Sequence, residues 1–552
     1  MYIKEYEKWL NYENLDKELK DELLAIKDND KEIKERFIKL LEFGTAGLRG
    51  IIGAGINRMN KYVVGLATQG LSEVIKEKGG EKRGVVIAYD SRKNSDVFAL
   101  ETAKVLAANG IKAYLFESLR PVPELSFAIR ELKTIAGVVI TASHNPYKYN
   151  GYKAYWEDGS QLPPKEAGKV FEIMESLSIF DVKRAEDNHP LINIIGKEID
   201  EQFINEVLKL QIRKDVNKDI KIIYTPFHGT GNIPVREVLK RAGFTNVTVV
   251  KEQEMPDPMF STVKSPNPED KEGFNIAMEY AKRDGANLIL GTDPDCDRVG
   301  IVVKNKNDEF VCMTGNQVGA LLTQYILEGL KEQGKLPKNG AVIKSIVSTK
   351  MAKDICDDFN VKMVDVLTGF KFIGEKIKEY EKDLSHTFLF GFEESYGYLS
   401  GTHARDKDGV NACLLIAEMA AYYNDKGMTL YDAMENLYEK YGYFKEQVIS
   451  VSFEGLEGME KIKNIMISLR NDTPKTLGGF PVTKVIDYKE GVEGLPSADV
   501  LRFELSDDTT LFIRPSGTEP KIKGYIMVKT PTNSESEEKL KLYKEELNKL
   551  FD

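Results

Sequence analysis

Short apolar runs and amphipathic stretches take turns along most of this chain. Val85 to Tyr89 forms one such run, helical spacing follows over about Val97 to Ala108, a strand pattern covers Ala113 to Phe116, a helical one about Leu125 to Leu132, and a second apolar run Ile135 to Ile140. Buried strands alternating with helices are what this periodicity predicts. Their order predicts a largely parallel sheet with right-handed crossovers. The rhythm restarts with strands at Ile220 to Tyr224, Val247 to Val250 and Leu288 to Leu290 around a helix near Val235 to Ala242. It restarts once more at Ala341 to Val347, with a helix at Met351 to Phe359 and strands at Met363 to Val366 and Thr387 to Phe390.

Both ends read differently. The first forty residues carry Leu19, Leu23, Leu24 and Ile26 near helical spacing among charges, which predicts one or two surface helices that serve packing. Beyond about Tyr441 come strand patterns at Gln447 to Ser452, Val500 to Leu505, Thr510 to Ile513 and Tyr525 to Val528, with helices near Glu457 to Leu469 and from Glu535 onward. The expected fold class is α/β, with three βαβ-type domains and a C-terminal α+β domain around a central cleft. Boundaries fall at 1–200, 201–313, 314–440 and 441–552, and the polar stretches Lys183 to His189, Asn305 to Asp308 and Glu439 to Gly442 read as linkers.

A length of 552 residues already exceeds what one core organises, in keeping with several domains. Lys plus Arg total 77 against 87 Asp plus Glu, a net charge of −10, which argues against nucleic acid or an anionic membrane as partner. An anionic substrate then needs a local cationic cleft. Cys296, Cys312, Cys356 and Cys413 have no C-x-x-C spacing, so neither a zinc site nor a disulfide framework is expected. With no apolar leader at the start and no apolar stretch of membrane-spanning length, the expectation is a soluble cytoplasmic protein.

Four polar loops interrupt the apolar pattern. Thr141-Ala142-Ser143-His144-Asn145-Pro146 sets a hydroxyl before an imidazole where a strand pattern stops, at the kind of sheet edge where open α/β folds bind ligands. A serine hydroxyl is a weak nucleophile and needs a base, a metal or local positive charge. In Gly291-Thr-Asp-Pro-Asp-Cys-Asp-Arg298 the acids Asp293, Asp295 and Asp297 alternate, so an extended turn can offer three carboxylates to one hard cation. An EF-hand is excluded, since Arg298 and Lys304 stand where its glycine and final glutamate belong; a D-x-D-x-[TV] phosphatase is excluded because Asp297 occupies the threonine place. Arg514-Pro-Ser-Gly-Thr518 combines a guanidinium, two hydroxyls and a glycine, for which a phosphate clamp and a plain capped turn stand level. Glu393, Glu394 and Ser395, between Gly391 and Gly397, suit a polyol such as a sugar ring.

In order and over nearly the whole length, these loops resemble the α-D-phosphohexomutases, the phosphoglucomutase and phosphomannomutase family. The resemblance implies that Ser143 carries a phosphoryl group, that Asp293, Asp295 and Asp297 bind Mg²⁺ with the serine phosphate as a further ligand, and that Glu393 and Ser395 contact sugar hydroxyls. Arg514, Ser516, Gly517 and Thr518 would hold the phosphate that is not transferred. Arg49, in Gly44-Thr-Ala-Gly-Leu-Arg-Gly50, and Lys153 match cationic groups beside the phosphoserine; His144 and Arg298 also match motif positions, Arg298 as a substrate contact. Lys371, in Thr368-Gly-Phe-Lys371, and His144 are the candidates for moving the hydroxyl proton. The sugar loop Gly391-Phe-Glu-Glu-Ser-Tyr-Gly397 resembles the phosphoglucomutase branch, which includes phosphopentomutases, more than G-E-M-S-G-H. Implied, then, is a Mg²⁺-dependent intramolecular phosphotransfer between glucose 1-phosphate and glucose 6-phosphate through bound glucose 1,6-bisphosphate, which also activates. Mannose or pentose phosphates by the same route, a serine phosphohydrolase and a noncatalytic sugar-phosphate binder are the rivals, and monomer and dimer stay open.

Overall fold

The computed structural model describes residues 2–44, 47–453, 455–492, 494–516 and 521–552. Two compact units divide the chain, Met1–Val303 with Gly397–Tyr422 and Lys304–Tyr396 with Tyr423–Asp552.

In the first unit β1 (Leu48–Ile51), β2 (Val85–Tyr89), β3 (Ala113–Phe116), β4 (Ala136–Ile140), β5 (Tyr149–Trp156) and β6 (Ile192–Ile195) make one sheet in the order β1-β5-β4-β2-β3-β6. β2 is parallel to β3 and β4, and β3 to β6, as the alternation with helices requires. β5 runs antiparallel to β4 and to β1, so the sheet is mixed, parallel in three of its five pairings. The cause is chain length: residues 141–148 connect β4 to β5, and a parallel crossover takes a dozen or more. A second sheet repeats the plan with β7 (Ile222–Thr225), β8 (Val247–Val249), β9 (Leu288–Thr292) and β10 (Val299–Lys304). There β7 is parallel to β8 and β9, whereas β9 and β10 form a hairpin.

Three helices, Tyr2–Leu10, Lys17–Ala25 and Asp30–Phe37, stand where one or two were expected. Trp9 is fully buried, edge-on to Phe37, Tyr62 and Phe180 at 5.4–5.9 Å between ring centroids, so this segment anchors the first core through aromatics. The helix Lys61–Glu77 was not read from the sequence. Buried residues surround it on nearly all sides, which erases the amphipathic signal, while its start is marked by Asn60, whose side chain accepts from the N–H groups of Tyr62 and Val63.

In the second unit Gly340–Ser345 pairs in parallel with Lys362–Val366 and Thr387–Glu393. The C-terminal strands form an antiparallel sheet in the order Tyr443–Ser452, Lys521–Thr530, Thr510–Pro515, Leu501–Leu505, Phe480–Asp487 and Thr476–Leu477. Buried side chains from the helices Gly455–Asn471 and Asn533–Phe551 complete its core. The expected linker Glu439 to Gly442 is mostly helix, since Leu430–Tyr441 is helical and Gly442 alone separates it from the next strand. Gly442 has φ +95°, a conformation L side chains rarely adopt.

Candidate active site

Ser143 sits in the hairpin loop between β4 and β5 with φ +52°, an unusual left-handed setting for a non-glycine residue, and its side chain is buried. Its N–H donates to Thr141 Oγ1 at 2.8 Å, and Arg92 donates to the carbonyls of Ser143, Asn145, Pro146 and Tyr149, so both edges of the turn are held. Ser143 Oγ donates to Asp293 Oδ2 at 2.9 Å and lies 3.2 Å from His144 Nδ1. Burial, then the charges of Arg298, Arg49, Lys153 and Arg92, hold the His144 imidazole well below its ordinary pKa. On β1, Arg49 reaches the same turn and donates to Asn145 Oδ1 at 2.9 Å.

The hairpin between β9 and β10 supplies the carboxylates. Asp293, Asp295 and Asp297 are all buried, and one oxygen from each lies within 4.8 Å of the others. Asp293 Oδ1 accepts from the N–H groups of Asp297 and Arg298, which curls the loop around it. Lys153, opposite Val139 in the β4–β5 register, returns to the loop with Nζ 2.7 Å from Asp295 Oδ2 and 3.5 Å from Asp297 Oδ2. Burial alone would raise Asp295, but Lys153 against it carries its carboxyl below the usual range; Asp293, buried beside Asp295 and Asp297, is pushed well above. Among the described residues, Asp295 Oδ1 and Asp297 Oδ1 are buried without a hydrogen-bond partner. Buried acceptors left without donors are costly. Oxygen donors alone, clustered and with two of them short of a hydrogen-bond donor, fit a hard divalent cation such as Mg²⁺.

Two residues here escaped the sequence reading. Arg92 lies three residues past the end of β2, and its guanidinium also pairs with Asp90 at 3.2 Å and lies 5.0 Å from the Phe260 ring centroid. Lys407 belongs to the charged run Arg405-Asp-Lys-Asp408, and its Nζ is 3.1 Å from Asp297 Oδ2. Asp406 and Asp408 frame it: Asp406 accepts from Tyr155 Oη at 2.8 Å, while Asp408 accepts from His403 at 2.7 Å and from the N–H groups of Val410 and Asn411. Four charges in a row before an apolar helix were the available signal.

In the second unit Glu393 Oε1 accepts from the N–H of Gly369 at 2.7 Å, joining the sugar-loop candidate to the turn that carries Lys371. Burial brings the Lys371 amine below lysine's ordinary pKa. Glu394 is bonded instead to Ser345 at 2.8 Å and Ser348 at 3.3 Å. Arg514 stands directly across from Lys523 on the neighbouring strand. Like charges opposed in a sheet repel, and an anion between them removes the cost. Lys523 was also missed. Tyr525 connects these groups, its phenol pushed up by burial and Glu394 and pulled down by Arg514. Ser516 donates its N–H to the Lys521 carbonyl at 2.7 Å; Gly517 and Thr518 lie outside the described residues.

A buried serine hydroxyl bonded to one of three clustered aspartates, with a lysine ammonium against the others, defines a phosphoryl-transfer class of site. Family models described as phosphoglucomutase/phosphomannomutase alpha/beta/alpha domains I, II and III match residues 40–179, 201–306 and 314–441. The chain belongs to the phosphoglucomutase/phosphomannomutase family. It is 38% identical over 501 residues to the phosphoglucomutase of Staphylococcus haemolyticus strain JCSC1435, covering 88% of this chain and 90% of that one. To the phosphoglucomutase of Staphylococcus aureus strain MRSA252 it is 37% identical, with 91% and 92% covered. A family protein of known structure from Burkholderia thailandensis superposes with TM-score 0.67 at 16% identity, over 92% of this chain and 96% of that one, a likeness of fold.

Proposed function

We propose that this chain interconverts glucose 1-phosphate and glucose 6-phosphate, with Ser143 as the phosphoryl carrier. The observation that carries the reading is the Ser143 hydroxyl bonded to Asp293 inside the aspartate cluster, in a chain similar to phosphoglucomutases over nine-tenths of its length. The free hydroxyl oxygen of the sugar phosphate attacks the phosphorus on Ser143, the P–Oγ bond breaks, and the hydroxyl proton passes to Lys371, whose pKa burial lowers. His144, 3.2 Å from Ser143 Oγ, handles the proton at the serine oxygen as that bond breaks and re-forms. The bisphosphate turns over and returns its other phosphoryl group to Ser143.

Charge and position do most of this work. Lys153 and Arg49 face the transferring group, Arg298 adds a donor at its side, and Arg514 with Ser516, Gly517 and Thr518 grips the far phosphate. Glu393 and Ser395 read the sugar hydroxyls. Asp293, Asp295 and Asp297, with Ser143, would hold Mg²⁺, which when bound supplies positive charge to the phosphoryl oxygens. We take the site to be cytoplasmic and the four segments 1–200, 201–313, 314–440 and 441–552 to be its domains. The test is a side-by-side assay of glucose 1-phosphate, mannose 1-phosphate and ribose 1-phosphate, with catalytic glucose 1,6-bisphosphate and with Mg²⁺ or EDTA. Glucose 1-phosphate should give the highest kcat/KM and EDTA should abolish turnover. Preference for ribose or mannose phosphate, or release of inorganic phosphate as the main product, would refute the reading.

A further inference from the structure

One loop of the first unit touches the residues around Ser143 and the aspartates at three points, and no motif pointed to it. Between Met255 and Phe274, Phe260 lies under the Arg92 guanidinium at 5.0 Å, Ser265 Oγ donates to the His144 carbonyl at 2.8 Å, and Glu269 Oε1 accepts from Arg298 Nη1 at 2.9 Å. The first two contacts are internal bracing. The third is different in kind, because its two members differ in exposure: the Arg298 side chain is 16% exposed and that of Glu269 42%. The Arg298 backbone is held by the aspartates, its N–H bonded to Asp293 Oδ1 at 3.0 Å, and its side chain lies among them, 3.8 Å from Asp297 Oδ1. Glu269, rooted in an exposed turn, can swing into water. Arg298 is also short of acceptors: its Nε is buried without a hydrogen-bond partner, the nearest carboxylate being Asp297 Oδ1 at 3.8 Å.

A guanidinium with one N–H engaged by a removable carboxylate and another with no acceptor matches a group that receives a planar or tetrahedral oxyanion at two points. We propose that Glu269 is an anionic placeholder, occupying Arg298 until a phosphoryl group at Ser143 or on the incoming sugar displaces it. This rests on the phosphoryl-transfer reading above and adds to it an exchange partner. Exchange keeps the buried guanidinium paired in both states, which avoids the large cost of leaving such a charge alone. It also means that Glu269 competes with phosphate, so its loss has the opposite sign from the loss of a residue that merely orients Arg298.

The sign decides the matter. In a Ser143→Ala background, which keeps the protein unphosphorylated, the dissociation constants of glucose 1,6-bisphosphate and of inorganic phosphate are measured by calorimetry in Mg²⁺ with and without Glu269→Gln. Competition predicts that the Gln variant binds both several-fold more tightly, and that Arg298→Gln cancels the gain. Unchanged or weaker binding in Glu269→Gln overturns the placeholder, as does absence of phosphate binding by both proteins. Tighter inorganic phosphate with no binding of the bisphosphate would keep the placeholder and refute the sugar-phosphate mutase reading instead. Circular dichroism of the same samples checks the fold, and Glu269→Asp, which keeps the charge, should bind like the parent.

Discussion

Replacing Lys153 by Met gives a direct reading of how far the aspartate cluster depends on its cationic partners. Three buried carboxylates meet two ammonium groups and one guanidinium: Lys153, 2.7 Å from Asp295 and 3.5 Å from Asp297, Lys407, 3.1 Å from Asp297, and Arg298, 3.8 Å from Asp297. Met retains an unbranched, roughly isosteric stem, so the change removes charge and hydrogen bonds with little loss of packing. Breaking one side of a buried ion pair costs about 3 to 5 kcal/mol, because the surviving charge stays desolvated. A divalent cation on the same oxygens offsets that deficit, and by linkage it stabilises most the protein that binds it more tightly. The loss of stability should therefore approach the full figure in EDTA and shrink in saturating Mg²⁺. Trp9 and Trp156 are the chain's two tryptophans and both belong to the first unit, so urea titrations followed by tryptophan fluorescence report on the unit that holds the cluster. An equal loss in EDTA and in Mg²⁺, or a loss under about 1 kcal/mol, would refute the claim that the cluster is a cation site that Lys153 helps to balance.

Ser143→Ala should abolish mutase turnover without unfolding the protein; intact-mass measurement should find a phosphorylated fraction in the parent and none in the variant, and full activity in the variant would end the phosphoserine mechanism. Arg514→Ala should raise KM for the sugar phosphate by roughly ten- to hundredfold, the equivalent of about 1.5 to 3 kcal/mol for a lost charged hydrogen bond, and an unchanged KM would remove Arg514 from the substrate site. Glu446, on the strand Tyr443–Ser452, is pushed up to about 7 by burial, against the pull of Thr349, Lys445, Lys344 and Asn316. Its folded value lies above the unfolded one, so the stability it contributes is present below about pH 4 and lost as pH rises through 7. Glu446→Gln cannot ionise and should gain on the parent above pH 7, by on the order of 3 kcal/mol, with no gain near pH 4; a pH-independent difference in urea midpoint would contradict this.

The sequence disclosed the strands that carry the site because each is short, apolar and cut off by a polar loop. Val85–Tyr89, Ala113–Phe116 and Ala136–Ile140 fall where their patterns predict, within a residue. What it concealed was direction. Continuous apolar runs look the same in parallel and antiparallel pairs, and only the length of the connection after Ile140 separates a hairpin from a crossover. The helix Lys61–Glu77 was lost because burial on nearly all sides removes the period. Arg92 and Lys407 were passed over for another reason: a buried cation is recognised by its partners, and those come from residues as distant as Phe260 and Asp297.

The antiparallel edges account for how chemistry written in separated motifs becomes one site in the first unit. A hairpin returns the chain beside the strand it just left, so residues on either side of its loop face each other across one register. Val139 pairs with Lys153 and Thr292 with Val299, which sets a lysine beside the serine turn and closes the aspartates into a tight loop. The ten-residue spacing from Ser143 to Lys153 is thus the consequence of a short connection, residues 144–148, plus the first five residues of β5, and a crossover at either place would have carried Lys153 or Arg298 to the far end of the sheet. Inserting four Gly-Ser residues after Pro146 tests that argument. Lys153 keeps its register with Val139, which β-pairing fixes, while Ser143 loses the brace from Arg92; activity should collapse while Mg²⁺ still protects the first unit from urea. Loss of Mg²⁺ protection together with activity would show that the serine turn, and not the strand register, holds the aspartate cluster in shape.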